Sequence, residues 1–276
     1  MPTATLNTTQ VDGLTLAYRE LGSGPPVLLL HGWPTSSFLW RNVMPPIARV
    51  NRVIALDLPG FGGSDKPAGA RYNFEFFEHA IDGFLGELGI DAVAIAGHDL
   101  GGPVATHWTL DRQERVTRFA LLNTLVYPEF SEAVFAFIKA ASTPGLREQI
   151  TSPEGLEAAM RLGLADEANL TDEVIAGVRE PFQTDESRNS LADAGIGLEP
   201  EGFVEMGERL GSMTMPVRLI YGEQDRILPD IAETMARMKK DLPQATVTAL
   251  PHCGHFLQEE APEEIGELLA TFFAEA

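Results

Sequence analysis

Residues 94–102 constrain the fold of this 276-residue chain more than any other stretch. Residues 94–96 are small or β-branched and predict a buried strand, which breaks at Gly97. Asp99 then stands between Gly97 and the pair Gly101 and Gly102, where glycine allows a sharp turn into a helix. This G-x-Nu-x-G spacing is that of a nucleophile elbow, a strained turn that holds one reactive side chain at the carboxyl edge of a sheet.

An aspartate at the elbow predicts a particular chemistry. A carboxylate is already an anion at neutral pH, so Asp99 can displace a leaving group from carbon without a base. The expected target is an sp3 carbon, and the product is an alkyl ester of Asp99 that water must hydrolyse. A histidine is therefore needed only for this second step. Ester hydrolysis by a serine enzyme is disfavoured because no serine occupies the elbow.

Composition excludes several classes of partner. The chain has 20 basic and 40 acidic residues, a net charge of −20, which argues against nucleic acid or an anionic membrane as partner. Residues 1–11 lack a signal pattern and no apolar run approaches the length of a membrane span, so we expect a cytoplasmic protein. The single Cys253 and the spacing of the six histidines match no metal motif, so we predict neither metal nor cofactor.

Apolar runs alternate with helical patterns along most of the chain. Residues 27–30, 52–56 and 117–122 are predicted buried strands, and residues 72–88 carry apolar side chains at helical spacing. This order predicts an α/β fold, with a mostly parallel central sheet and helices on both faces.

The alternation stops between residues 126 and 212. Helical segments are predicted at 132–141, 153–164, 171–179 and 203–210, divided by Pro144-Gly145, by Pro181 and by residues 195–197. An all-helical insert between two strands predicts a cap over the carboxyl edge of the sheet, where ligands bind. The predicted domains are thus a core in two parts, 1–125 and 213–276, and a helical cap, 126–212.

Two loops supply partners for Asp99. Asp225 follows the predicted strand 217–221 and His255 follows the strand 245–250, so both should lie at the edge that carries Asp99. The chain order nucleophile, acid, histidine matches a known triad order. Taken alone, Asp225 could equally be a turn or helix-cap residue. His252 is a rival for the histidine, but Gly254-His255-Phe256 is more typical of a tight presenting turn.

The loop His31-Gly32-Trp33-Pro34 follows the first buried strand. Such a loop commonly supplies one amide of an oxyanion hole, and the residue after the nucleophile supplies the other. We therefore assign the two amides to Trp33 and Leu100. Without the elbow, an ordinary strand-to-helix turn would be the better interpretation.

These motifs together resemble the haloalkane dehalogenases of the α/β-hydrolase superfamily, which also contains epoxide hydrolases and haloacetate dehalogenases. The resemblance rests on residues 31–42, 57–67 and 98–101 and on the Asp225 and His255 loops, and it covers about 11–123 and 217–273. It implies an α/β-hydrolase fold with a helical cap and a small apolar organic substrate, hydrolysed with water. Asp99 would attack the halogen-bearing carbon, and His255, oriented by Asp225, would activate water against the ester. One dehalogenase subgroup carries its acid where Asn123 stands here, which favours Asp225.

The chain departs from the haloalkane dehalogenases at two positions. Leu100 replaces the tryptophan that usually donates an indole N–H to the departing halide, and Trp33 replaces an asparagine donor. A halide held by one indole donor should leave more slowly than one held by two donors. The candidate contacts to a leaving group or substrate are Trp33, Tyr127 and Asn123.

Epoxide hydrolysis is the alternative, because epoxide hydrolases share Asp99, His255 and the H-G-x-P loop. They usually carry a pair of cap tyrosines, whereas only Tyr127 of the four tyrosines lies at the predicted cap. A haloacetate dehalogenase would need arginines near the elbow, and Leu100 and Pro103 indicate none. A binding protein without turnover could share the fold, but it has no evident reason to keep the complete triad. The motifs favour haloalkane dehalogenase first.

Overall fold

The computed structural model describes residues 4–274, in which eight strands form one sheet. The strand order is β1-β2-β4-β3-β5-β6-β7-β8. Only β1 with β2 and β2 with β4 pair antiparallel, and the other neighbours are parallel. The strands are β1 Thr5–Val11, β2 Leu14–Gly22, β3 Pro26–Leu30, β4 Arg52–Leu56, β5 Val93–His98, β6 Val116–Leu122, β7 Val217–Gly222 and β8 Thr246–Leu250. The predicted mostly parallel sheet is confirmed.

Helices cover both faces of this sheet, also as predicted. The helices of the described residues are α1 Met44–Ile47, α2 Phe74–Glu87, α3 Gly101–Leu110, α4 Glu132–Ser142, α5 Leu146–Thr151, α6 Pro153–Gly163, α7 Asp172–Arg179, α8 Asp185–Ile196, α9 Pro200–Arg209, α10 Ile231–Asp241, α11 Leu257–Glu260 and α12 Pro262–Ala274. Within residues 4–274 no helix has the length and apolar character needed to cross a lipid bilayer.

The core consists of two apolar layers, one on each face of the sheet. Successive residues of β3 and β4 alternate between them, because side chains of a strand point to opposite faces. Leu28 and Ile54 pack with α2 and α3 on one face, and Val27 and Val53 pack with α1 and α12 on the other. Burial on both faces explains why these strands are continuous apolar runs in the sequence.

Strand β1 is not predicted by the sequence pattern. Its residues are mostly Thr, Asn and Gln, and it lies at the edge of the sheet, where it pairs only with β2. Six of its seven residues are not buried because little covers this edge, and an edge strand needs few apolar residues. The hydrophobic pattern is therefore too weak to reveal it.

Between β6 and β7 the described chain forms helices and turns, α4 to α9, and no strand. We call residues 126–212 the helical insert. Four of its helices fall on predicted segments, whereas α5 and α8 were not predicted. Helix α8 runs through Gly195, which we expected to divide helices. A Cβ at Gly195 would lie 2.9 Å from Cδ1 of Trp33 and 3.0 Å from Phe137. Gly195 therefore allows α8 to pack closely against Trp33 and Phe137.

Candidate active site

Asp99 lies at a sharp turn between β5 and α3, at the carboxyl edge of the sheet. Its φ of 49° is in the left-handed region, which a residue with a side chain rarely adopts. A Cβ at Gly97 would come within 2.4 Å of the Gly101 carbonyl oxygen, so the turn has no room for a side chain there. The backbone geometry is that of the predicted elbow, and 18% of the Asp99 side chain is exposed.

The two carboxylate oxygens of Asp99 have different surroundings. Oδ1 accepts a hydrogen bond of 2.7 Å from the Trp33 backbone N–H, and the Leu100 N–H also bonds the carboxylate. Gly32 permits this approach, because a Cβ there would lie 2.2 Å from Cβ of Asp99. Oδ2 faces His255 instead. The structure thus brings both amides predicted for an oxyanion hole to one carboxylate.

His255 is completely buried and lies between two carboxylates. Its Nδ1 is 2.7 Å from Oδ2 of Asp225, and its Nε2 is 3.4 Å from Oδ2 of Asp99. Nε2 has no hydrogen-bond partner among the described residues. Asp225 is itself held by the backbone N–H groups of Ile227 and Leu228, each donating to Oδ1 at 2.8 Å. The structure therefore brings the three predicted residues together in the order Asp99, His255, Asp225.

Asn123 lies behind the triad. Its Nδ2 donates to Oδ2 of Asp225 at 2.7 Å and to the Gly254 carbonyl at 3.3 Å, and its Oδ1 accepts from the Gly222 N–H at 2.9 Å. These bonds use the whole side-chain amide within a fully buried position. Our expectation that Asn123 contacts a leaving group or substrate is therefore corrected, since it supports the acid of the triad.

Tyr127 also lies away from the reacting groups. Its hydroxyl donates to Oδ2 of Asp241 at 2.7 Å, and the Arg237 guanidinium packs over its ring at 3.7 Å. These contacts fix the first residues of the insert to α10. The expected substrate contact by Tyr127 is corrected, because its hydroxyl is engaged at the surface of the core.

A mainly apolar cavity of about 440 Å³ adjoins Asp99. Its walls come from both the core and the helical insert, and its polar side chains are Asp99, Gln149, Arg226 and the indole of Trp33. The Nε1 atom of Trp33 is buried and has no hydrogen-bond partner among the described residues. The apolar lining is Leu100, Pro103, Leu125, Phe130, Val134, Phe137, Ile138, Ile150, Leu162, Ile196, Leu198, Phe203, Ile227 and Leu228, with small residues between them.

The buried charges of the triad set its protonation. Burial alone would lower the pKa of His255, but the Asp225 and Asp99 carboxylates outweigh it and raise that pKa to about 10. Burial would raise the pKa values of Asp99 and Asp225, and the His255 imidazolium reverses this, so both pKa values lie below the ordinary range. The resting site therefore holds an imidazolium between two carboxylates at neutral pH.

This raised pKa makes stability depend on pH. The stabilisation by His255 should be complete below pH 6.5, the ordinary histidine value, and should be lost as pH rises toward about 10. Between pH 6.5 and about 10 we expect the free energy of unfolding of the wild type to fall more steeply with pH than that of His255→Phe. The two slopes should differ by up to about 1.4 kcal/mol per pH unit. Urea unfolding at pH 6.5, 8 and 10 measures the difference, and equal pH slopes for the two proteins would contradict it.

His98, the residue before Asp99, has a role that the sequence did not predict. Its Nε2 lies 2.9 Å from the carbonyl oxygen of His255, and its ring is completely buried 4.9 Å from the His255 ring. Burial, together with the nearby imidazolium, lowers the pKa of His98 to about 3, so the ring is neutral and donates Nε2–H. The alternation of a strand indicates only that His98 points away from Asp99.

Comparisons with known proteins agree with this fold. The sequence profile of the alpha/beta hydrolase fold matches residues 25–262. The uncharacterized hydrolase YugF of Bacillus subtilis is 30% identical over 267 residues, covering 95% of each chain. The crystal structure of the haloalkane dehalogenase DbeA from Bradyrhizobium elkani superposes with a TM-score of 0.85 at 31% identity, over 98% of each chain. The epoxide hydrolase CorEH superposes with a TM-score of 0.85 at 25% identity, over 98% of this chain and 99% of that one.

Proposed function

We propose that this chain, which belongs to the alpha/beta hydrolase fold family, is a haloalkane dehalogenase-like hydrolase that works through a covalent ester on Asp99. The main support for the proposal is the position of the Asp99 carboxylate. One oxygen is bound by the Trp33 amide, and the other faces His255 at the wall of an apolar cavity. A substrate carbon that enters the cavity meets an anion that is already oriented.

In the first step, Oδ2 of Asp99 forms a bond to the sp3 carbon and the halide departs with the bonding electrons. Oδ1 remains at the Trp33 N–H, 2.7 Å away in the resting site. The indole Nε1–H of Trp33 is the donor available to the halide, because it is buried at the cavity without another partner among the described residues. Leu100 contributes only apolar surface and its backbone amide.

Ester formation prepares the second step by removing a charge. Alkylation neutralises Asp99, one of the two carboxylates that raise the pKa of His255, so the imidazolium loses its proton more readily. Neutral His255 then takes a proton from water, which attacks Cγ of Asp99. The oxyanion forms on Oδ1 between the Trp33 and Leu100 amides. As the intermediate collapses, His255 gives its proton to the departing alkoxide, and the carboxylic acid proton of Asp99 then passes to His255, which restores the Asp99 anion and the imidazolium. The one proton that the net reaction produces is the proton that the imidazolium lost to solvent before water attacked.

Epoxide hydrolysis is the second candidate, and the likeness to CorEH favours it. Opening an epoxide leaves an alkoxide that needs a proton or strong donors. Among the described residues that line the cavity there is no tyrosine. Tyr127 bonds Asp241, and the Tyr72 hydroxyl bonds the Pro67 carbonyl at 3.2 Å. Trp33 alone is a poor proton source, so a halide is the better leaving group for this site.

Halide release should respond to the number of indole donors. We expect Trp33→Phe to lower the rate of bromide release from 1-bromohexane about tenfold or more, because it removes the unpartnered indole N–H at the cavity. Leu100→Trp should raise the rate by adding a second donor. Both should change 1-chlorohexane more than 1-iodohexane, since chloride is the poorer leaving group.

The measurement is initial halide release with 1,2-epoxyhexane hydrolysis as comparison, after circular dichroism has shown that each variant is folded. Unchanged bromide release in Trp33→Phe would remove Trp33 from the reaction. Diol formation by the wild type without halide release would favour the epoxide alternative.

A further inference from the structure

The carboxyl end of α6 in the helical insert meets the two loops that carry Asp225 and His255. The last carbonyls of a helix have no partners within the helix. In α6 the Gly163 carbonyl accepts the backbone N–H of His255 at 2.6 Å and that of Phe256 at 3.4 Å. The main chain of the proposed base is therefore bonded directly to the insert.

Arg226, the residue after Asp225, bonds the neighbouring carbonyls. Its Nε donates to Leu162 at 2.9 Å, and its Nη2 donates to Arg161 at 3.2 Å and to Leu164. A guanidinium presents several donors in a fixed plane, so one side chain can hold several carbonyls at once. Together, Arg226 and the amides of His255 and Phe256 supply hydrogen-bond donors to the carbonyl groups at the end of α6.

The two surfaces approach closely enough to exclude a side chain. A Cβ at Gly163 would lie 2.5 Å from the Phe256 ring, and a Cβ at Gly254 would lie 2.3 Å from the Gly163 oxygen. Glu260 adds a second connection. Its carboxylate accepts hydrogen bonds from the backbone N–H of Asp166, in the insert, at 2.9 Å and from the backbone N–H of Gly254 at 2.6 Å. The junction is thus tightly packed and hydrogen-bonded on both sides of His255.

The other side of His255 is bonded to the elbow strand. His98 donates to the His255 carbonyl, whereas Gly163 accepts from the His255 amide. The peptide groups on either side of the base are thereby fixed by two different parts of the fold. A shift of α6 would consequently move the His255 ring relative to Asp99, and catalytic rates are sensitive to displacements of about 1 Å.

We infer that Arg226 is a positioning residue that holds α6 against the His255 loop and so sets the rate of ester hydrolysis. This inference rests on the proposed function of Asp99 and His255. Alkylation by a carboxylate needs no base, whereas hydrolysis needs His255 aligned with both water and the ester carbon. Loss of Arg226 should therefore slow the second step more than the first.

Hydrogen–deuterium exchange tests the junction without any substrate. In Arg226→Met we expect the His255 and Phe256 amides to exchange at least about tenfold faster, because bonds from a charged donor are lost. Arg179→Met is the matched control. Arg179 bonds Pro153 at 2.8 Å and Glu157 at 2.7 Å, at the opposite end of the same helix. Equal exchange at His255 in wild type and Arg226→Met overturns the inference, as does faster exchange throughout the protein.

Rapid-quench kinetics with 1-bromohexane tests the effect on each step. In Arg226→Met we expect ester hydrolysis to be slowed at least about tenfold more than first-turnover bromide release, with part of the hydrolysis rate restored in Arg226→Lys. Equal loss in both steps, or unimpaired hydrolysis, overturns the positioning role. If the wild type releases no bromide, the proposed function fails, and the exchange experiment still decides whether Arg226 holds His255.

Discussion

Asp99→Ala is expected to abolish turnover, with halide release falling on the order of 10⁴-fold or more. Among the described residues no other carboxylate lines the cavity, and the remaining acid of the triad, Asp225, is enclosed by Asn123 and the amides of Ile227 and Leu228. The loss should appear as a missing first turnover and not as a slower steady state. Stopped-flow detection of halide with 1-bromohexane measures both phases.

Asp111→Ala serves as the matched control for this substitution. Asp111 follows the elbow helix α3, and its side chain is 53% exposed in an ion pair with Arg209. Surface ion pairs contribute only about 0–1 kcal/mol, so this variant should stay folded and active. Turnover by Asp99→Ala within about tenfold of the control would exclude a nucleophilic role for Asp99.

His255→Phe is expected to separate the two steps. Asp99 should still be alkylated, because displacement by a carboxylate needs no base, so one equivalent of bromide should be released per active site. Steady-state release should then fall on the order of 10³-fold or more, because no group activates water. The assay is run above pH 7, where Asp99 stays ionised without the neighbouring imidazolium.

The control here is His79→Phe, in which an exposed histidine of α2 that pairs with Asp12 is replaced. It should show wild-type burst and steady-state rates. Steady-state release by His255→Phe near the wild-type rate would contradict the proposed base. A missing burst in a folded variant would contradict alkylation of Asp99 without a base.

The central features of this fold follow from short-range signals in the sequence. The elbow at Asp99 is predictable because the tight turn leaves no room for side chains at Gly97 and Gly101. The meeting of Asp99, Asp225 and His255 follows from a general property of parallel sheets, whose strands all end at the same edge. The mostly parallel sheet could be anticipated from the continuous apolar runs that its buried strands carry.

Contacts across long sequence separations could not be predicted in this way. Asn123 lies 102 residues from Asp225, and the spacing of the chain carries no sign that its amide bonds that acid. Tyr127 could be placed near the insert, but the direction of its hydroxyl depends on α10. The bonds from Arg226 and from the His255 amide to α6 likewise depend on how the insert docks on the core, which hydrophobic periodicity does not encode.

The substitution at Leu100 has a physical consequence for the reaction. Under the proposed function, Leu100 gives the halide no side-chain donor and the Trp33 indole is the unpartnered donor at the cavity, so the reaction should favour bromide and iodide over chloride. The mainly apolar lining of the cavity should compensate in part, because a hydrogen bond is stronger in a site of low dielectric than in water.

The most direct test of the covalent route is the intact mass of His255→Phe after incubation with 1-bromohexane and, separately, with 1,2-epoxyhexane. We expect the bromoalkane to add the mass of a hexyl group without bromine, and peptide mapping to place it on Asp99. An adduct with the mass of the whole epoxide, formed only from the second compound, would support epoxide hydrolysis instead. The absence of any adduct on Asp99 with either compound would contradict a nucleophilic carboxylate.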